Sequence, residues 1–124
     1  MSVVTHAFVP FVHVADVERS IAFYAHLGFA ETGRHVPEGS AVPVWASLRT
    51  PAGARLMLAL ANGPVDASVQ AILFYAYVPD AAAAHGALAR AGAPVGHMQR
   101  PWWAPDGEFR TEDPDGYVLM VMQG

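Results

Sequence analysis

The sequence predicts an α+β fold built from two copies of one βαβββ unit, and three observations support this prediction. The chain has 124 residues, which is the length of one domain. Short motifs recur in order at nearly one offset: Val14-Ala15-Asp16 matches Val78-Pro79-Asp80, and Pro51, Gly53, Leu56 and Met57 match Pro114, Gly116, Leu119 and Met120. Strand-like and helix-like segments also follow the same order in both halves.

The first unit begins with an apolar, strand-like run over 8–14. Asp16 follows this run and is suited to cap a helix, because its carboxylate can accept from the free N–H groups of the first turn. The helix is predicted to end near Leu27, where Gly28 suits the left-handed position beyond a helix end. Three further strands are predicted over 29–35, 42–49 and 54–61, the last after the turn Thr50-Pro51-Ala52-Gly53.

The second unit repeats this order after a linker over 62–69. A strand over 71–78 leads to Asp80, which is placed to cap a helix that runs through 91 and stops at Gly92. Strands are predicted over 95–99, 108–112 and 117–122, with the turn Asp113-Pro114-Asp115-Gly116 before the last. The two units therefore occupy about 1–61 and 70–124 of a single domain.

Composition and charge exclude several classes of function. The 7 basic residues are all arginines that stand singly, against 11 acidic residues, so no basic patch for nucleic acid is visible. The absence of cysteine excludes disulfides and thiolate metal sites. No apolar run is long enough to span a bilayer, and the first residues lack the features of a signal peptide. We therefore expect a cytoplasmic protein without a membrane partner.

Two motifs give the sequence a family resemblance. The segment from Asp16 to Tyr24, DVERSIAFY, followed by Leu27-Gly28-Phe29, resembles the first-unit signature of the vicinal oxygen chelate superfamily. The segment Asp113-Pro114-Asp115-Gly116-Tyr117 resembles its closing turn. This superfamily contains glyoxalase I, extradiol dioxygenases, and fosfomycin and bleomycin resistance proteins. The resemblance implies a cup-shaped mixed β-sheet with helices on the outer face, often assembled by two chains, and hence a homodimer. It implies no single activity, because unrelated functions share the fold.

The resemblance also implies where a metal would be held. In the metal-using members, four strand positions supply the ligands, which are mostly His and Glu. Carried over to this sequence, these positions fall on Val9, Leu73, Met57 and Met120. Hard divalent cations need oxygen or imidazole ligands, and a thioether binds them poorly. We therefore expect no metal, no cofactor and no catalytic residue at these positions.

Strand alternation predicts which other side chains share the ligand-facing side with Val9 and Leu73. That face would carry aromatic rings, methionines and an imidazole, and adjacent tryptophans in a proline-rich loop could add further rings. Such a surface suits a planar, largely apolar or cationic small molecule. The predicted ligand-binding residues are Phe11, His13, Trp45, Met57, Tyr75, Tyr77, Trp102, Trp103, Glu108 and Met120.

These residues favour a metal-free binding protein that is similar to the bleomycin resistance proteins and sequesters a small molecule. One alternative is a lyase, isomerase or dioxygenase whose metal has moved to His13, His97 and Glu108, or which uses His13 or Tyr75 for acid–base chemistry. Another is a domain whose cup is filled by its own side chains. The sequence leaves open whether the units pair within one chain or between two, and which adjacent tryptophan faces the cup.

Overall fold

The two predicted units appear as two mixed β-sheets with one helix each in the computed structural model, which describes residues 3–124. The α+β class is therefore confirmed. The elements in chain order are β1 (Phe11–Val14), α1 (Val17–Ala25), β2 (Ala30–His35), β3 (Trp45–Arg49), β4 (Arg55–Leu60), β5 (Leu73–Val78), α2 (Ala81–Arg90), β6 (Glu108–Glu112) and β7 (Val118–Gln123).

Both sheets are connected in the same way. The first sheet has the strand order β1-β4-β3-β2, and the second has the order β5-β7-β6. In each unit the opening strand runs parallel to the closing strand, and the other neighbours are antiparallel. A parallel pair needs a long crossover, and α1 and α2 with the strands that follow them supply it. The linker between the sheets contains one 3₁₀ turn, Ala67–Val69.

The helix boundaries follow from local chemistry. Asp16 accepts a hydrogen bond from the backbone N–H of Arg19 at 3.1 Å, and Asp80 accepts one from Ala83 at 3.0 Å. Beyond the helix ends, Gly28 and Gly92 have φ values of 88° and 85°. A side chain is unfavourable in this left-handed region, so both predicted caps and both predicted glycine stops are confirmed. Within residues 3–124, no helix has the length and apolar character needed to cross a membrane.

Prolines shorten two of the predicted strands. The run predicted to begin at residue 8 enters the sheet only at Phe11, after Pro10, and the run predicted from 42 begins at Trp45, after Pro43. Proline has no backbone N–H and cannot donate to a strand ladder, which accounts for the later start.

The strand predicted over 95–99 is wrong. This segment makes only two isolated bridges to β6, Val95 to Thr111 and Gln99 to Glu108. The two bridges are one residue out of register with each other, since 95 pairs with 111 but 99 pairs with 108, so no regular ladder runs between them. Pro94 and Pro101 limit pairing beyond the segment. The second sheet consequently has three strands where the first has four.

One hydrophobic core joins the two units. Its members lie on the helix-facing side of both sheets and include Val14 and Leu58 from the first unit, and Leu88, Phe109 and Val121 from the second. Since side chains alternate along a strand, burying these residues presents the opposite face of each sheet outward. We call the two opposite surfaces the outer faces.

A buried hydrogen bond between the units lies at the edge of this core. The Tyr24 hydroxyl donates to Asp113 Oδ2 at 2.8 Å, while Asp113 Oδ1 accepts from the backbone N–H groups of Asp115 and Tyr117, both at 2.9 Å. Burial raises the pKa of Asp113, and the hydrogen bonds from Tyr24 and the backbone act in the opposite direction. The closing turn thus docks on α1 through one carboxylate.

Two more hydrogen bonds connect the closing turn to the end of β1. Asp115 Oδ1 accepts from the backbone N–H of Ala15 at 2.9 Å, and the Tyr117 hydroxyl donates to the His13 carbonyl oxygen at 2.9 Å. The D-P-D-G-Y segment, which resembled a family turn, therefore holds the two units together.

Replacing Tyr24 by Phe should lower the free energy of unfolding by about 1–3 kcal/mol, because the variant buries Asp113 Oδ2 without its donor. Urea unfolding followed by circular dichroism measures this change. Tyr77→Phe removes the same hydroxyl from an exposed ring and serves as the matched control, with an expected change near zero.

The cost of Tyr24→Phe should also depend on pH. The Tyr24 donor lowers the pKa of Asp113, so its loss raises that pKa further in the folded chain. The cost is then greatest where Asp113 is ionised, and it falls as the pH drops and the carboxyl becomes protonated. If the loss of unfolding free energy stays constant from neutral to acid pH, the Asp113 carboxylate is not the acceptor responsible for it.

Candidate functional site

Four of the predicted ligand-binding residues share the outer face of the first sheet. Phe11 and His13 point outward from β1, and their rings stack with centroids 6.2 Å apart at an angle of 14°. Phe11 lies beside Met57 on β4, and His13 is separated from Trp45 on β3 by a single residue, Ala59. The face therefore carries rings and a thioether, and alternation places Ser47, Arg49 and Arg55 on the same side.

The outer face of the second sheet is also aromatic. Tyr75 and Tyr77 point outward from β5, with ring centroids 6.0 Å apart at 25°. The register places Tyr75 beside Met120 and Tyr77 beside Met122 on β7. Strand alternation predicted that these side chains share one face of the sheet, and they do in the structure.

Glu108 differs from the other residues of this second face because it is a charged residue that is almost fully buried, with a relative exposure of 4%. It opens β6 and pairs with Met122, which places it two strands from Tyr77. Its Oε1 accepts from the indole N–H of Trp103 at 3.1 Å and from the Tyr75 hydroxyl at 3.4 Å. The sequence suggested Glu108 as a pocket residue but could not show this pairing.

The two adjacent tryptophans differ in their surroundings. Trp103 is 48% exposed and is held against the second sheet by its hydrogen bond to Glu108, whereas Trp102 is 87% exposed. Their rings meet edge to face, with centroids 5.6 Å apart. Trp103 is consequently the tryptophan that belongs to the outer face, a distinction that the sequence left open.

The electrostatics around Glu108 keep Tyr75 protonated. Desolvation raises the pKa of the Tyr75 hydroxyl, and the negative charge of Glu108 raises it further. Tyr75 is therefore a hydrogen-bond donor at neutral pH and not a base. This argues against the alternative in which Tyr75 accepts a proton in catalysis.

Two cavities open beside the edge strands β1 and β5, and each is bordered by only part of the neighbouring outer face. A cavity of about 660 Å³ is bordered by Phe11, His13 and the linker. A second cavity of about 530 Å³ is bordered by Tyr75, Tyr77 and the C-terminal end of α1. The predicted residues thus form two groups, one on each sheet. Sequence reasoning did not include Ile72, an exposed residue of the first cavity, although its place at the start of an apolar run was a usable signal.

The residues at the four family metal positions do not fit a divalent cation. Val9, Leu73, Met57 and Met120 offer no carboxylate or imidazole. For the relocated site, His13, His97 and Glu108 do not meet, and in the part of one chain that the structure describes no three His, Asp or Glu side chains are grouped suitably for a metal.

Comparisons with known proteins agree with this architecture. The family model described as Glyoxalase/Bleomycin resistance protein/Dioxygenase superfamily matches residues 4–121. A search of curated proteins gives no match. The crystal structure of a bleomycin resistance determinant encoded on transposon Tn5 is 20% identical, with a TM-score of 0.75, and the match covers 97% of this chain and 98% of that one.

Two further solved structures are similar over nearly their whole length. The bleomycin-binding protein of bleomycin-producing Streptomyces verticillus, complexed with copper(II)-bleomycin, is 20% identical with a TM-score of 0.71, and the match covers 99% of both chains. A glyoxylase/bleomycin resistance protein/dioxygenase domain from Frankia sp. EAN1pec is 20% identical with a TM-score of 0.77, covering 99% of this chain and 93% of that one. At this identity the similarity establishes the fold.

Proposed function

The chain belongs to the Glyoxalase/Bleomycin resistance protein/Dioxygenase superfamily, and we propose that it is a small-molecule-binding protein that sequesters a planar, largely apolar or cationic ligand without a metal. The observation that carries this proposal is the pair of aromatic and methionine-bearing outer faces. Rings and thioethers on a rigid sheet provide the flat, polarisable contacts that planar ligands prefer. The solved bleomycin-binding neighbours support the same class of role.

We further propose that the cup forms between two copies of the chain. Within residues 3–124, β1 and β5 are each hydrogen-bonded to a strand on one side only. Leu73, Tyr75 and Tyr77 leave a large apolar surface on β5 exposed, and Phe11 does the same on β1. Open edges that carry exposed apolar side chains are typical of interaction surfaces. A homodimer would place the first sheet of one protomer against the second sheet of its partner.

A charge on the open edge should disrupt this dimer. Leu73→Arg places a guanidinium on β5, where a second chain would have to bury it, so the variant should run as a monomer. Multi-angle light scattering after gel filtration measures the mass. Val42→Arg is the matched control, because Val42 is 52% exposed against 49% for Leu73 but lies outside the sheets, and it should remain dimeric. A monomeric unmutated protein would contradict the proposed assembly.

A planar ligand should quench the tryptophan fluorescence in a saturable way. Anthracenemethanol and anthracenemethylamine are suitable probes because their absorption overlaps tryptophan emission. Energy transfer to a bound anthracene reaches all three tryptophans, so the variants are compared by affinity and not by the depth of quenching. Trp103→Phe should weaken binding of the probes, whereas Trp102→Phe should leave the affinity unchanged, since Trp102 projects into solvent. If neither probe quenches at any soluble concentration, the proposed function is wrong.

Metal removal should leave binding unchanged. The strand positions that would hold a metal carry only apolar side chains and thioethers, so extensive dialysis against EDTA should not alter the titration with either probe. A loss of binding that zinc, iron or nickel restores would show that a metal takes part after all.

A further inference from the structure

We infer that Glu108, together with Trp103 and Tyr75, forms a subsite that recognises a protonated amine carried by the planar ligand. This inference rests on the proposed function and narrows its ligand class from planar molecules to planar organic cations. Three features of the site support it: a carboxylate oxygen that no protein group occupies, a negative charge whose donors are neutral groups, and adjacent aromatic faces.

The first feature is that only one of the two carboxylate oxygens accepts hydrogen bonds from the protein. Both hydrogen bonds, from Trp103 and from Tyr75, reach Oε1 of Glu108. No hydrogen bond within residues 3–124 reaches Oε2. The two donors fix the orientation of the carboxylate and leave its second oxygen available for an N–H group of a ligand.

The second feature is a negative charge without a counter-charge. Glu108 makes no ion pair in the part of the chain that the structure describes. Arg110, the basic residue on the same strand, pairs with Glu112 at 3.7 Å. Both donors to Glu108 are neutral groups. The second oxygen of this carboxylate remains accessible at the surface of the site. A cationic ligand can therefore reach it and supply the positive charge that the described part of the chain does not.

The third feature is the aromatic surface beside the carboxylate. Tyr75 and Tyr77 stack on the same face, and the Trp103 ring lies at hydrogen-bond distance from Glu108. Aromatic faces attract cations and also stack on planar groups. A ligand whose ammonium group is joined to a planar ring through one methylene can therefore contact the carboxylate and the rings together. A lone acidic side chain on a polar surface would offer no such combination.

The test compares two probes that share one ring system and differ in charge. Anthracenemethylamine carries an ammonium at neutral pH, and anthracenemethanol carries a hydroxyl in its place. The dimer should bind the amine at least about tenfold more tightly than the alcohol. A charge-assisted hydrogen bond contributes roughly tenfold more to affinity than a hydrogen bond between neutral groups. Fluorescence quenching and calorimetry both measure the two affinities.

Glu108→Gln should reduce the ratio of amine affinity to alcohol affinity to about one, because glutamine keeps an acceptor for Trp103 and Tyr75 but loses the charge. Glu112→Gln, which removes the same charge from the same strand at an exposed position, is the matched control and should preserve the preference. A merely structural role for Glu108 would weaken both probes equally in the Gln variant.

The outcomes distinguish failure of this inference from failure of the proposed binding function. If the unmutated protein binds both probes equally, the cation subsite is wrong and the binding function stands; this result does not require any variant to fold. If Glu108→Gln keeps the preference, the subsite is also wrong. If neither probe binds, both proposals fail together.

Discussion

Each sheet of this protein can bury only one of its two faces within a single chain. Side chains alternate along a strand, so the residues that build the common core, such as Leu58 and Val121, determine which neighbours turn outward. Those neighbours include Phe11, Tyr75 and Tyr77, which are large and apolar. The exposed aromatic surface is therefore a direct consequence of how the core is formed. The proposed dimer and the proposed ligand site both depend on it.

The closing turn fixes how the two units face each other. Asp113 accepts three hydrogen bonds inside the protein, and Asp115 and Tyr117 extend the contact to the end of β1. These partners lie on different sheets, so the contact holds the relative position of the two outer faces. The same residues gave the sequence part of its family resemblance. Their side chains serve assembly of the fold and leave the chemistry of the site to other residues.

Glu108 places a charge where the rest of the site is apolar. The family positions for metal ligands hold Val9, Leu73, Met57 and Met120, whereas the buried carboxylate lies on a neighbouring strand and is oriented by an indole and a phenol. A carboxylate held in this way can attract a cation through its free oxygen without any metal. This arrangement is the basis of the proposed subsite for an organic cation.

The sequence by itself determined the order of the elements, the helix caps at Asp16 and Asp80, the glycine stops and the face on which each strand residue lies. These features depend on neighbours within a few residues, where backbone geometry decides. The late starts of β1 and β3 were also local, since prolines were visible there, whereas the register shift that removed the strand over 95–99 involves its pairing with β6. Only the tertiary structure decided that β1 and β5 border separate cavities, that Trp103 rather than Trp102 contacts the sheet, and that Glu108 is buried. Such contacts join residues that are distant along the chain or lie in irregular loops, and no periodicity encodes them.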